Sequence, residues 1–128
     1  MILALDTNRY IDFARGVSEA VERLESAEVI VVPLIVLAEL RAGFYRTSRS
    51  AQNERNLALF LNQRRVEVAS PNEDTTHHYG RIAAHLQATK QMIPINDVWI
   101  AALTIQHRMV LYTRDSDFQR IPNLALLT

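Results

Sequence analysis

The sequence predicts an α/β fold: three α/β/α layers in which helices cover both faces of a mostly parallel sheet of four to five strands. Short apolar runs alternate along the chain with longer segments whose apolar residues recur at helical spacing. Strands that alternate with helices form parallel sheets, because each crossover helix packs back onto a sheet face. No repeat or linker divides the 128 residues, so we expect one domain over residues 1–128.

The strands are predicted from short apolar runs. Residues 2–5 form the first, and residues 29–32 form a second that is largely β-branched. Residues 66–69 and 109–113 form the third and fourth strands. Residues 124–127 add a fifth strand at an edge of the sheet.

Helices fill the intervals between these strands. Gly16 separates helices at residues 8–15 and 17–27, and Pro33 begins a third helix that ends near Tyr45. The remaining helices are placed by side chains that accept a hydrogen bond from a helix N-terminus. Those predicted caps are Ser48 or Ser50, Asn72 or Asp74, and Asn96. The helix after Asn72 or Asp74 runs through residue 90, and the last helix ends near residue 107.

Composition excludes several classes of protein. Cysteine is absent, which rules out disulfides and cysteine-based zinc sites and fits a reducing cytoplasm, where we expect the protein to reside. No apolar run approaches the roughly 20 residues that span a bilayer. The apolar start of the chain has no basic leader and is interrupted at Asp6, so we expect neither a membrane partner nor a secretory signal.

Charge is balanced overall but uneven along the chain. Formal net charge is zero, and Lys90 is the only lysine among 14 basic residues. Residues 41–65 contain six arginines against the single acid Glu54, a local net charge of +5. Such an excess steers a polyanion towards the protein. A solvated helix surface explains the same residues equally well.

Five acidic residues at four places along the chain are the main functional signal. Asp6 closes the first strand, Asp115 and Asp117 follow the fourth, Glu39 lies within an apolar helix, and Asp97 opens another helix. Taken singly, each has an ordinary explanation as a helix cap, a first-turn charge or a turn residue. Taken together, they converge, because sites in parallel sheets form beyond the carboxyl ends of the strands.

Clustered carboxylates require a counter-charge. Two of them about 5 Å apart repel by roughly 3 kcal/mol at an effective dielectric constant near 20. Without a cation, at least one then has a raised pKa. Hard divalent cations with oxygen ligands relieve this repulsion. The sequence therefore predicts a metal-dependent phosphodiesterase.

Four motifs, in this order and spacing, extend over essentially the whole chain. They are Leu5-Asp6-Thr7-Asn8, Ala38-Glu39-Leu40, Asn96-Asp97-Val98-Trp99-Ile100-Ala101-Ala102 and Leu111-Tyr112-Thr113-Arg114-Asp115-Ser116-Asp117-Phe118. The set resembles PIN-domain ribonucleases, specifically the VapC-like toxins of bacterial type II toxin–antitoxin pairs. That resemblance implies a PIN-like fold and an endoribonuclease that uses Mg²⁺ or Mn²⁺. A glycine that relatives often carry shortly before the Asp97 segment is missing from residues 89–94.

The resemblance also implies roles for individual residues. Asp6, Glu39 and Asp97 are the core carboxylates, and Asp115 or Asp117 is the fourth, since the family varies there and this chain carries both acids. Asp6 and Asp97 are expected to bind metal directly, while Glu39 and the fourth acid bind metal through water, or one of them positions the nucleophile. Supporting or substrate-contacting roles are expected for Thr7, Asn8, Asn96, Thr113 and Arg114. None of the four histidines is required.

Three partners follow from the resemblance: an RNA substrate, a second copy of the chain in a homodimer, and a cognate antitoxin protein. The antitoxin's C-terminal segment is expected to lie in an apolar groove. Phe44, Tyr45, Leu57, Phe60 and Leu61 are candidates for that groove, and ordinary core packing is the alternative for at least half of them.

Two other functions compete with the ribonuclease hypothesis. One is a PIN-like module that binds RNA without cleaving it. The other is a phosphotransfer domain, a class that also gathers aspartates at strand ends. The segment after the first strand lacks an Asp-x-Asp pattern, and no lysine lies near the fourth strand, so the sequence disfavours phosphotransfer.

Overall fold

The computed structural model describes residues 1–128. Five strands are present: β1 Ile2–Leu5, β2 Val29–Pro33, β3 Val66–Ala69, β4 Val110–Tyr112 and β5 Leu126–Leu127. Six α-helices accompany them: α1 Thr7–Ala14, α2 Ser18–Ser26, α3 Leu34–Phe44, α4 Ser50–Leu61, α5 Glu73–Ala88 and α6 Ile95–Gln106. A short 3₁₀ helix, Ser116–Arg120, follows β4.

The strands form one parallel sheet in the order β3-β2-β1-β4-β5, which confirms the predicted fold class and the edge position of β5. From β1 the chain proceeds outwards through β2 and β3, then returns to place β4 on the other side of β1. The topological switch point therefore lies between β1 and β4. Because Leu5 pairs with Tyr112, the residues after these two strands emerge side by side.

The core lies on both faces of the sheet. Leu3, Ala4 and Leu5 of β1 are fully or almost fully buried, as parallel strands between helical layers must be. Helix α6 is buried around most of its circumference, with seven of its residues inaccessible to solvent. Its sequence is correspondingly apolar on all sides rather than amphipathic. The core thus holds α6, and with it Asp97, in a fixed position.

Helix starts show where sequence prediction succeeded and failed. Asn72 caps α5 as predicted, accepting from the backbone N–H of Thr75 in a capping box. The predicted Asn96 cap is wrong, because α6 begins at Ile95, directly after Pro94, and Asn96 lies in its first turn. The Pro94 carbonyl accepts from the backbone N–H groups of Asp97 and Val98, and no side chain caps the helix. Neither predicted serine caps α4, which begins after Arg49 without a side-chain cap.

The break between α1 and α2 depends on one glycine. Gly16 has a φ of +75°, in the left-handed region that only glycine adopts without strain. Its N–H donates to the Phe13 carbonyl, and the N–H of Val17 donates to the Asp12 carbonyl, so the end of α1 is closed by backbone hydrogen bonds. No helix of the chain combines the length and apolar character that crossing a membrane requires.

Candidate metal centre

Asp6 joins β1 to the site. Its Oδ1 accepts a hydrogen bond from the Thr7 backbone N–H at 2.8 Å, so the carboxylate caps α1. Its Oδ2 accepts from Thr113 Oγ1 at 2.6 Å and from Asn8 Nδ2 at 3.3 Å. The buried Asp6 side chain therefore both caps α1 and belongs to the site, two roles that were alternatives when only the sequence was considered.

The segment after β4 is organised around Thr113. While its hydroxyl donates to Asp6, it accepts from the backbone N–H of Asp115 at 2.9 Å. Asp115 Oδ1 in turn accepts from the backbone N–H of Asp117 at 2.9 Å and caps the 3₁₀ helix. This short helix turns Asp117 back towards Asp115, which is why both acids face the same place.

Asp97 lies opposite these two acids. Carboxylate oxygens of Asp97, Asp115 and Asp117 all lie within 4.8 Å of one another. Asp97 is buried, and the other two are half-buried. The structure thus brings Asp115 and Asp117 together with Asp97, whereas the sequence left them as alternatives.

Glu39 reaches the site from α3. Its Oε1 accepts from Thr7 Oγ1 at 2.6 Å, and its Oε2 accepts from Asn96 Nδ2 at 3.3 Å. Each donor is a neighbour of a buried aspartate: Thr7 follows Asp6, and Asn96 precedes Asp97. Glu39 is therefore tied to the starts of both α1 and α6.

Electrostatics show that the five carboxylates form one cluster. The pKa of Asp97 is raised to about 7, chiefly by burial and then by the charges of Asp6, Asp115, Glu39 and Asp117. Burial also raises the pKa of Asp6, with Glu39 and Asp115 adding to it, although hydrogen bonds from Thr113 and Thr7 act in the opposite direction. A closely spaced set of oxygen donors with excess negative charge suits a hard divalent cation.

An ion pair outside the cluster holds the loop after β4. The guanidinium of Arg114, predicted to contact phosphate, instead donates to Asp12 on α1, with Nε–Oδ2 at 2.8 Å and Nη2–Oδ1 at 3.0 Å. Arg9 Nη1 donates to the same Oδ2 at 3.1 Å, and its guanidinium lies 4.6 Å from the ring centre of Tyr112. The backbone N–H of Arg114 also donates to Asn8 Oδ1 at 3.2 Å.

Sequence analysis missed Asp12. The available signal was a pair of charged residues, Arg9 and Asp12, three positions apart on the face of α1 that also carries Tyr10 and Phe13 into the core. Charged residues are seldom buried unless they are paired. Nothing local indicated that the partner would be Arg114, 102 residues away.

Some arginines of the basic segment 41–65 bind other groups within the fold and are not available to a substrate. Arg41 pairs with Glu54 at 2.9 Å, and the Arg65 guanidinium donates to the backbone carbonyls of Leu24 and Ala27, so both serve the fold. Of the predicted apolar groove residues, Leu57 and Phe60 are core residues, and Phe44 and Leu61 pack against the core. Tyr45 is 83% exposed. Core packing thus accounts for most of that set.

Comparison with known proteins decides the family. The model of the PIN domain matches residues 3–124, nearly the whole chain. The chain belongs to the PIN-domain family. Among curated PIN-domain relatives, it is 32% identical to "Ribonuclease VapC2" of Rickettsia felis, covering 98% of this chain and 96% of that protein. It is 35% identical to "Ribonuclease VapC1" of Haemophilus influenzae (strain R2866), covering 97% and 95%.

Solved PIN-domain structures agree with the fold described above. A VapBC2 complex from Rickettsia felis, bound to a DNA fragment from its promoter, superposes with a TM-score of 0.90 at 31% identity, covering 99% of this chain and 98% of that one. VapBC-1 from nontypeable Haemophilus influenzae gives a TM-score of 0.88 at 32% identity, covering 99% and 97%. The parallel sheet and its helical layers are therefore those of a PIN-like three-layer fold.

Proposed function

We propose that this PIN-domain protein is a ribonuclease toxin of the VapC type, that it hydrolyses RNA phosphodiester bonds as an endoribonuclease, and that Mg²⁺ or Mn²⁺ is its cofactor. The observation that carries the proposal is the convergence of five carboxylates from separate elements, with the Asp97 pKa raised to about 7. The curated relatives are named ribonucleases. Membership of the PIN-domain family sets aside the phosphotransfer alternative.

The residues present fit a divalent cation. Asp97, Asp115 and Asp117 offer oxygens close enough to share one ion, and the raised pKa of Asp97 marks excess negative charge that the ion pair between Arg120 and Asp117, at 3.5 Å, does not remove. Oxygen-only donor sets select Mg²⁺ or Mn²⁺ over softer metals. When bound, such a cation neutralises phosphate charge and lowers the pKa of a coordinated water.

The remaining polar residues orient this set. In the proposal, Thr113 and Thr7 fix the Asp6 carboxylate so that its unshared lone pairs face the cluster. Thr7 and Asn96 hold Glu39 at the rim, where it positions a water or the substrate. Asn8 links Asp6 to the Arg114 backbone, and the exposed amide of Asn96 is the candidate for phosphate contact.

Partners follow from the relatives. The similar solved structures are VapBC toxin–antitoxin complexes, and we propose that this chain also has a cognate antitoxin. We further propose a homodimer, because Leu34, Ile35 and Trp99 line a surface cavity, and Ile95, the sequence neighbour of the lining residue Asn96, is 64% exposed. A toxin that cleaves RNA acts where RNA is translated, so we place the protein in the cytoplasm.

The experiment compares purified wild-type protein with Asp97→Asn on an RNA substrate. We expect cleavage with Mn²⁺ or Mg²⁺, no cleavage with excess EDTA, and a loss of at least about 100-fold in Asp97→Asn, in keeping with removal of a metal ligand. Equal cleavage by both proteins would reveal a contaminating nuclease. RNA binding without metal-dependent cleavage would instead support the non-catalytic module.

A further inference from the structure

A cavity of about 520 Å³ borders the carboxylate cluster at Glu39. It lies between α1, α3 and α4, and Thr7 and Glu39 form its wall on the side of the cluster. The volume falls within the ~300–1,000 Å³ range of small-ligand sites, which includes single nucleotides. Nothing in the proposed cleavage step uses this space.

Two arginines in the cavity have no partner within the chain. Arg15 follows the end of α1, and Arg49 precedes α4; both line the cavity, and neither guanidinium makes an ion pair or hydrogen bond. Arg41, by contrast, is neutralised by Glu54. Unpaired guanidinium groups next to a site for phosphodiester hydrolysis suit the phosphates that flank the cleaved bond.

The floor and rim of the cavity differ in chemistry. Ile11, Leu40 and Phe44 supply apolar surface, with Phe44 packed against the core. At the rim, Asn53 forms no side-chain hydrogen bond, and the Asn56 amide uses only its oxygen, which accepts from Gln52 at 2.9 Å. Unpaired bases in RNA are recognised by aromatic or apolar surfaces together with amide groups that read the base edges.

We propose that this cavity binds one unpaired nucleotide of the RNA strand next to the cleaved bond, with Arg15 and Arg49 on its flanking phosphates. The inference rests on the proposed ribonuclease function and deepens it by naming the part of the substrate that lies outside the carboxylate cluster. RNA is favoured over a protein helix as the occupant because the unpaired guanidinium groups of Arg15 and Arg49 complement phosphate charge and side-chain amides line the same cavity.

The test uses the double variant Arg15→Gln/Arg49→Gln. The matched control, Arg64→Gln/Arg81→Gln, removes the same charge from two exposed arginines: Arg64 precedes β3, at the amino ends of the strands, and Arg81 lies on α5. Three quantities are measured with Mn²⁺ present: binding of a single-stranded RNA oligonucleotide, kcat/KM on that oligonucleotide, and hydrolysis of bis(4-nitrophenyl) phosphate. The small diester carries a single phosphate and therefore lacks the flanking phosphates that Arg15 and Arg49 are proposed to bind.

The cavity variant is expected to bind RNA about tenfold more weakly and to lose kcat/KM in proportion, with hydrolysis of the small diester unchanged. The slope of log affinity against log salt concentration should become shallower by about 1.4, because each phosphate contact on a single strand contributes about 0.7. The control variant should stay within about twofold of wild type on all three measurements.

Three results would overturn the inference: RNA affinity and salt slope that match wild type, an equal loss in the control variant, or an equal loss on the small diester. Unchanged RNA affinity and salt slope would indicate that the cavity binds a protein partner and not RNA. An equal loss in the control variant would mean that net charge alone causes the effect. An equal loss on the small diester would mean that the substitutions disturb the carboxylate cluster. A wild-type protein that cleaves neither substrate contradicts the ribonuclease proposal, while the binding measurement still tests the cavity.

Discussion

Among the five clustered acids, Asp97 has the pKa that is raised most clearly, to about 7. Its carboxylate is buried among four other acids, whereas that of Asp6 receives three hydrogen bonds. A carboxyl whose folded pKa of about 7 exceeds its ordinary 3.8 favours the folded state while protonated. The metal-free protein therefore loses stability as the pH rises from about 4 through about 7.

Asp97→Asn should therefore stabilise the metal-free protein. At pH 8 in EDTA, we expect a free energy of unfolding higher than wild type by about 2 kcal/mol, because the uncharged amide removes the repulsion at little change in shape. At pH 4, close to the ordinary pKa of 3.8, the difference should largely disappear. Urea denaturation at both pH values measures this, with the exposed Glu67→Gln as control. A variant that is less stable than wild type at pH 8 would contradict the assignment.

The pKa of Asp12 is shifted in the opposite direction from that of Asp97. The hydrogen bond from Arg114 holds its pKa below the ordinary value; burial opposes this, and Arg9 reinforces it. Because its folded pKa is depressed, Asp12 contributes stability above the unfolded pKa near 3.9, and that stability is lost as the pH falls through the folded value.

Asp12→Asn should lower the free energy of unfolding at pH 7 by about 2–3 kcal/mol, because it removes the carboxylate shared by Arg9 and Arg114 and leaves the buried Arg9 with only the exposed Glu19, at 3.6 Å. The difference from wild type should begin to shrink as the pH falls below the unfolded pKa near 3.9, and it should vanish once the pH is below the lowered pKa of the folded state. Denaturation between pH 3 and pH 7 provides the measurement. A constant difference across that range would mean that packing, and not charge, is what the substitution removes.

At the scale of elements, the predictable features were those with a local cause. The β-branched residues of β2 and the cap at Asn72 are local, and both were placed correctly. The 3₁₀ helix after β4 was missed because five residues show no periodicity. The pairing of Arg114 with Asp12 was missed because it depends on the register of β1 and β4 and not on neighbouring sequence.

The residue that caps α5 also forms a hydrogen bond with α6, so its substitution tests both interactions. Asn72 Oδ1 caps the helix and also accepts from Gln106 Nε2 of α6 at 3.0 Å. Asn72→Ala removes both interactions and should destabilise the protein by about 1–2 kcal/mol, near the upper end for a cap. Thermal unfolding measures the loss, and Asn72→Asp, which keeps the cap, is the control. Equal losses in both variants would show that the cap itself contributes nothing.

At the scale of the whole molecule, sheet order accounts for the site. The switch point between β1 and β4 brings Asp6 and Thr113 together, while α3 and α6 deliver Glu39 and Asp97 to the same edge. The convergence of acids was predictable from strand ends, since that rule belongs to every parallel sheet. The approach of the Asp97, Asp115 and Asp117 oxygens to within 4.8 Å depends on the Thr113 hydroxyl and on the 3₁₀ helix after β4. Sequence patterns specify neither feature.

The most direct test of the shared cation is diffraction from crystals grown with excess Mn²⁺, recorded at the manganese absorption edge. We expect an anomalous peak among the oxygens of Asp97, Asp115 and Asp117, and its absence from Asp97→Asn crystals prepared in the same way. A wild-type crystal without a peak there, or with these carboxylates turned away from one another, would contradict the account.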